Sequence, residues 1–437
     1  MMTVLLSILL QVALGAIAQS PNLSAGSLCG YFPQDTVSTQ PPKGYKPFYI
    51  SLVARHGSRY LSHSDSITFR IADTLATMAA KGMLTADGLA LMEDIQMIKS
   101  MTEGHLGELT PLGASEHQQI CARMYRHYPE VFSNKSRLNL YAESTKVMRV
   151  QKSMDAFTEE LQKRAPALLI NSSVKGWEDQ PANKGVVGYS LNDEEKVQGK
   201  NDERRFAGIA SDLQSGYDLQ TFAGRIFTDP KSVAPSSLEF VANTSFLCLK
   251  TGCLTSPSTM PAMDKYFTPE ELYYLWLPGS MYWACYLNYP GYEYPRTRRH
   301  GGGMIEQIIE EADEAIKPRS HTAATLKFSH DTYLFPLMTA VPLVGTVLDC
   351  PETEIAERFQ DYNFICPACN VQLIFYRKCC SKRILVKFLL NEKETLIHGL
   401  EPVTRCYYDW DSVKRFWQEK GWSAIRLGDM KQADLSL

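Results

Sequence analysis

The chain is 437 residues long, with 44% hydrophobic and 21% charged residues. That balance is ordinary for a soluble globular protein and excludes disorder, collagen and coiled coil for the bulk of it. Forty-five basic side chains against 48 acidic ones leave a net charge of −3. A dedicated nucleic-acid binder would carry a basic excess, so no nucleic-acid partner is expected, while a local basic pocket for a small anion stays compatible with the total.

Val4 to Leu14 run apolar, broken only by Ser7 and Gln11, and Ala16-Ile17-Ala18 stand before Gln19. This pattern predicts a signal peptide over residues 1–18 and residence in the secretory-pathway lumen or outside the cell, a lysosomal fate included. About 15 mostly apolar residues are short for a bilayer span, and no later stretch is longer, so no stable membrane span is expected. Residues 19–45 are rich in Ser, Pro, Gly and Gln and predict an extended leader.

Phe48 to Val53 then predicts a short buried strand that runs into Arg55-His56-Gly57-Ser58-Arg59. Ile67, Ile71, Leu75 and Met78 share one helical face, and Gly82 is a natural stop. Thr110-Pro111 gives a cap and first-turn pair for a helix carrying Ile120, Met124 and Tyr128 and ending at Pro129. Leu138, Leu140 and Ala142 alternate as a strand. Ser144 is placed to cap a helix with Val147, Val150, Met154, Phe157 and Leu161 on one stripe, and Arg149 sits off that stripe in its opening turns. Residues 165–304 lose this regularity and predict a mainly helical insertion. Thr325 to Ser329 predicts a further strand ending at His330-Asp331, and 371–377 with 383–390 predict a hairpin whose Arg377, Lys378, Lys382, Arg383 and Lys387 form its outer face. Strands alternating with helices over 46–164 and 305–437 predict an α/β core built on a mixed central sheet.

Eleven cysteines fit an oxidising compartment, and the odd count leaves at least one without an intrachain partner. Cys248 and Cys253 are close enough in sequence to close a small loop. Cys366, Cys369, Cys379 and Cys380 have metal-like spacing, although disulfides are the expected use in a secreted chain. Asn22, Asn134, Asn171 and Asn243 each open an Asn-x-Ser/Thr sequon, as in a secretory glycoprotein.

The Arg-His-Gly segment carries the chemistry. Two arginines flank a histidine, and charges so close in sequence repel unless an anion sits among them. A phosphate monoester suits guanidinium forks. A neutral imidazole there is placed to attack phosphorus, and the arginines to stabilise charge on the equatorial oxygens. His330 supplies another cationic donor, and Asp331 a carboxyl to protonate the leaving alkoxide. Both segments fall at predicted strand ends, where ligands bind in open α/β sheets. His300-Gly301-Gly302-Gly303 is reminiscent of an esterase oxyanion loop, but no Gly-x-Ser-x-Gly elbow accompanies it, so a flexible loop is expected there. Arg296, Arg298 and Arg299 form either a solvated patch or a lure for a highly phosphorylated substrate.

These residues in this order resemble the histidine acid phosphatases, a family that includes phytases. Its Arg-His-Gly-x-Arg motif matches Arg55 to Arg59, its Thr-x-x-Gly segment Thr110 to Gly113, its Arg-x-x-x-Ser segment Arg149 to Ser153, and its His-Asp motif His330-Asp331. Within the family, residues 51–60 and the Tyr-rich stretch 291–294 are most similar to the branch acting on inositol polyphosphates. That branch usually carries His-Ala-Glu where this chain has His330-Asp331-Thr332. The resemblance implies a histidine phosphatase fold, shared with phosphoglycerate mutases, and a two-step transfer. His56 would take the phosphoryl group, Asp331 would give the proton, and Arg55, Arg59, Arg149 and His330 would hold the phosphate. It implies a small phosphomonoester substrate and no metal or other cofactor. A broad acid phosphatase acting on small monoesters, phosphoproteins or lysophosphatidate shares this pocket chemistry. A catalytically silent binder of phosphorylated ligands is the reading from another class, and intact His56 and Asp331 speak against it.

Overall fold

In the computed structural model the residues described are 11–32, 38–62, 70–175, 193–215, 217–255, 260–287 and 301–420. Ile67, the 291–294 stretch, Arg296, Arg298, Arg299 and His300 lie outside them. The predicted strand at 48–53 is the centre of a longer one, β1 (Tyr45–Arg55), buried from Phe48 onward. Ile50, Leu52 and Ala54 face one side of the sheet, and Tyr49 and Val53 the other. Both faces of β1 are apolar because both are covered, as in parallel sheets generally.

Eight strands make one mixed sheet in the order β3 (Leu169–Lys175), β2 (Asn139–Thr145), β4 (Thr322–Ser329), β1, β5 (Asn370–Lys378), β6 (Leu385–Leu390), β7 (Lys393–Thr395), with β8 (Tyr407–Asp409) also paired to β6. β1 runs parallel to β4, with Arg55 opposite Ser329, and β2 and β3 continue the parallel half. β5 turns antiparallel on the other side of β1, and the predicted hairpin is β5–β6. On one face, the helices Pro111–His127 and Met148–Arg164 bury Ile120, Met124, Val150, Met154, Phe157 and Leu161 against Ile50, Leu52 and Phe328. The other face meets a larger cluster that includes the helices Asp193–Leu213, Pro235–Leu254 and Pro269–Ala284.

Several expectations shift. Leu169–Lys175, assigned by sequence to the insertion, is the edge strand β3; its polar Asn-Ser-Ser centre hid it because an edge needs no apolar run. Ser144 caps nothing: it is buried within β2, and the helix after it starts at Met148 with Val147 in the cap position. Residues 19–45 are not uniformly extended, because Pro21–Leu28 coils into 3-10 turns. Before them, Gln11–Gln19 is helical, with Ala13 and Ile17 buried in the larger cluster. Gly302 and Gly303 belong to the Gly302–Ile316 helix and are buried there, so these two glycines are in no flexible loop.

All eleven cysteines stand as thiols. Cys248 and Cys253 share the Pro235–Leu254 helix. Five residues along a helix are about 140° apart around its axis, so these two point away from each other. Cys366 and Cys369 are buried before β5, whereas Cys379 and Cys380 are exposed beyond its far end. Nine strand residues span about 30 Å, which divides the metal-like cluster in two.

Lys387 is not on an outer face. Its side chain is 0% exposed, with Nζ donating to Ser38 Oγ at 3.0 Å and to Glu394 Oε1 at 2.8 Å. Removing one partner of such a pair strands a charge in a dry site, at a cost of about 3–5 kcal/mol. Glu394→Ala is therefore expected to lower unfolding stability by about 3 kcal/mol in urea titrations. A change below about 0.5 kcal/mol, the range of an ordinary surface substitution, would show that the pair holds nothing.

Candidate active site

The parallel pairing of β1 with β4 sets the site. Both strands end at the same edge, so the turn after Arg55 and the turn after Ser329 emerge side by side. His56 N donates to Ser329 O at 3.0 Å, which ties the two exits together. His330 occupies the cap position of the helix Asp331–Ala340, and Asp331 is its first residue. The Asp331 carboxylate accepts from Thr332 N at 2.8 Å and lies 2.6 Å from Arg55 Nη2. The rings of His56 and His330 meet edge to face at 5.6 Å between centroids. His330 Nε2 stands 3.2 Å from Thr145 Oγ1 at the end of β2. Arg149, in the first turn of Met148–Arg164, and Arg59 complete the group; both act electrostatically on His330 and on each other's surroundings. The structure thus brings all six sequence-derived residues, Arg55, His56, Arg59, Arg149, His330 and Asp331, to one strand edge.

His56 is 3% exposed, and its Nδ1 lies 2.8 Å from Gly57 O. A carbonyl can only accept, so Nδ1 carries the proton and Nε2 keeps its lone pair. Burial, then the charges of Arg55, Arg149 and His330, hold its pKa well below the usual imidazole value. The ring is therefore neutral and oriented. Burial also lowers His330, with Arg149, Arg55 and Arg59 adding to the effect and Asp331 opposing it. Arg149 itself is pulled down to about 10 by burial and by the charge of Arg59, and its Nε is buried without a hydrogen-bond partner. So strong a crowding of cations in a desolvated place is the signature of a site that expects an anion. Burial alone would raise Asp331, but the Arg55 guanidinium, then His330, the Thr332 N–H and Arg59, outweigh it and keep the carboxyl low.

The turn that carries His56 is clamped from below by the Pro111–His127 helix. Thr110 caps that helix, accepting from Gly113 N at 3.1 Å, and its hydroxyl bonds Ser58 O at 3.0 Å and Leu254 O at 2.8 Å. Gly57 and Gly113 face each other so closely that a methyl on either would collide with the other loop's backbone. Ser153 Oγ accepts from Gly57 N at 3.1 Å. Glu116 accepts from Ser58 N at 2.7 Å, from Ser58 Oγ at 2.8 Å and from Tyr31 N at 3.0 Å. His117 Nε2 donates to Arg55 O at 3.1 Å. Sequence reasoning missed Glu116, His117 and Thr145. The signal for His117 existed: positions 113, 117, 120 and 124 form one stripe, and a histidine in a stripe that otherwise reads as core needs a partner.

The leader was also missed as a part of the site. Arg55 Nη1 donates to Ser27 O at 2.6 Å and to Ile365 O at 2.5 Å. Asp361 accepts from Ser27 N at 2.8 Å and from Trp276 Nε1 at 2.8 Å. The Pro21–Leu28 turns are therefore a strap that fixes the guanidinium facing Asp331. A cavity of about 700 Å³ opens elsewhere, between β2, β3, β4 and the Gly302–Ile316 helix, and it includes none of the six residues.

Burial pushes His117 down to about 4. An unfolded chain protonates this histidine near 6.5, so between about 6.5 and 4 the unfolded state binds more protons, and stability falls as pH falls. The slope from His117 alone approaches 1.4 kcal/mol per pH unit. Urea unfolding across this range is expected to show a shallower pH dependence for His117→Gln than for the parent chain. Parallel pH profiles would contradict the buried neutral ring.

The family model of the histidine phosphatase superfamily (branch 2) matches residues 49–231, which include the Arg55–Arg59 motif and Arg149. No curated protein matches the chain by sequence. Among solved structures, the multiple inositol polyphosphate phosphatase of Bifidobacterium longum in complex with inositol hexasulfate aligns with a TM-score of 0.71 at 16% identity, covering 90% of this chain and 96% of that one. The phytase of D. castellii aligns at 0.66 with 14% identity, covering 91% and 85%. That of Citrobacter braakii aligns at 0.53 with 15% identity, covering 87% and 100%. At such identities the likeness is one of fold, and it is the α/β architecture expected from sequence. The motif residues stand at the shared edge of β1 and β4, and over residues 49–231 the chain is similar to branch 2 of the histidine phosphatase superfamily.

Proposed function

We propose that this chain is a secretory-pathway phosphomonoesterase that hydrolyses inositol polyphosphates through a phosphohistidine intermediate. One observation carries the reading: a buried neutral His56, its Nδ1 proton fixed on Gly57 O, stands among Arg55, Arg149 and His330, with Asp331 paired to the same Arg55 at 2.6 Å. In the first step His56 Nε2 attacks phosphorus, the ester P–O bond breaks, and Asp331 protonates the departing alkoxide. The guanidinium groups hold the equatorial oxygens as their charge develops. In the second step the Asp331 carboxylate takes a proton from water, water oxygen displaces the histidine, and inorganic phosphate leaves.

Asp331 must enter this cycle protonated, although Arg55 keeps it ionised in the ligand-free site. The arriving dianion resolves this. It draws the same guanidinium and adds negative charge beside the carboxyl, and both effects raise its proton affinity. His56 stays neutral well below pH 6.5, so the productive window is mildly acidic. The B. longum neighbour, solved with inositol hexasulfate, and the phytase neighbours support the choice of substrate class. The apolar run before Gln19 supports a secretory route, as do sequons at the exposed Asn22, Asn171 and Asn243. Cleavage after Ala18 would remove the Gln11–Gln19 helix and leave the strap at Ser27 in place.

The substrate reading is tested by kcat/KM for phytate against p-nitrophenyl phosphate. Phytate is expected to lead by at least about tenfold, near 1.4 kcal/mol of differential binding. Equal values would favour the broad acid phosphatase, and no release from either the silent binder. For the acid, Asp331→Asn is expected to lower kcat/KM of an alkyl ester by about 10²–10⁴ while lowering that of the nitrophenyl ester less than about tenfold, since kcat/KM reports the phosphorylation step, in which only the alkoxide needs a proton. Equal losses on both esters would contradict the assignment.

A further inference from the structure

The tip of the β5–β6 hairpin holds a feature that phosphate chemistry does not use. Ser381 N donates to Lys378 O at 3.2 Å, closing a β-turn with Cys379 and Cys380 at its two central positions. Cys380 has φ of +61°, the left-handed conformation that turns normally assign to glycine or asparagine. A cysteine there is strained by its Cβ. What the strained turn achieves is proximity: the two sulfurs stand 3.4 Å apart. Both residues are exposed, whereas Cys350 is half-buried and the other eight cysteines are buried. The cationic side chains of Lys378 and Lys382 are exposed beside them, so an anionic reagent is drawn to the turn.

We propose that Cys379 and Cys380 form a redox-active vicinal dithiol, a modification site that closes into a vicinal disulfide by exchange with a low-molecular-weight anionic disulfide of the glutathione type. Chemically, one sulfur attacks the reagent's S–S bond as its thiolate. A mixed disulfide forms and one reagent thiolate leaves. The neighbouring sulfur then attacks the mixed disulfide, the ring S–S bond forms, and the second reagent thiolate leaves. The protein loses two electrons and two protons, and the reagent gains them as two thiols. The site is remote from the phosphate centre: Lys378 pairs with Tyr45 at the start of β1, ten residues of strand from Arg55. Oxidation here therefore modifies the surface without touching catalysis.

The test uses the full chain, first reduced and desalted. A thiol reagent applied to the native protein is expected to find two fast-reacting groups. After oxidised glutathione both should be lost, with an intact mass lower by two hydrogens, an elution volume unchanged from the reduced protein and unchanged phosphate release. Cys380→Ala should instead retain a stable glutathione adduct on Cys379, because no second sulfur can expel it. Stable adducts on the parent chain, a disulfide-linked dimer, or silence at these two residues while others react would each overturn the proposal. A fall in phosphate release on ring closure would overturn its separation from catalysis.

Discussion

The parallel hydrogen-bonded contact between β1 and β4 is the constraint on which the site depends. It sets Arg55 opposite Ser329, and the next residues on each strand are the ones with chemistry. A slip of one residue in either strand would turn alternate side chains to the opposite face. Here the register is fixed by burial on both faces, with Ile50, Leu52 and Ala54 in one core and Tyr49 and Val53 in the other. The core is thus not a neutral support. Its alternation determines that Arg55 meets Asp331 at 2.6 Å and that the rings of His56 and His330 come within 5.6 Å.

Around that contact the protein spends its buried polar groups on geometry. The single turn from Arg55 to Ser58 is held by Ser153, Thr110, Glu116 and His117 from two helices, and Arg55 by the carbonyls of Ser27 and Ile365. The cations left facing the pocket repel one another: burial, then Arg59 and Arg55, lower the pKa of Arg149, and Arg149, Arg55 and Arg59 add to the burial that lowers His330. An anion bound there would relieve that repulsion, and the turn that carries His56 is already held in place for it. Preorganisation of this kind is where electrostatic catalysis gains most, because the donors do not have to reorient as charge moves.

What sequence reveals follows from what each contact demands of it. Apolar periodicity exposed β1, β2, β4 and the Met148–Arg164 stripe, because burial forces a pattern. The six candidate residues that the structure brings together stood out because their types are rare in combination and follow strand ends. β3 was not, since an edge strand with exposed Leu169 and a polar centre carries no apolar run. Lys387 misled because a lysine reads as surface, and only Glu394 and Ser38, brought by folding, make its burial tolerable. The strap at Ser27 was invisible for a deeper reason: it acts through a backbone carbonyl and amide, which every residue has. Glu116 and His117 lay on a helix that was predicted, yet their roles depend on reaching Ser58 and Arg55 more than fifty residues earlier.

The central claim is that the imidazole of His56 becomes covalently phosphorylated. Rapid acid-free quenching of the enzyme with phosphorus-labelled substrate, followed by peptide mapping, measures this directly. The account predicts one label per chain, stable in base and labile in acid, on Nε2 of His56. Label on any other residue, or turnover with no labelled protein at any quench time, would contradict it.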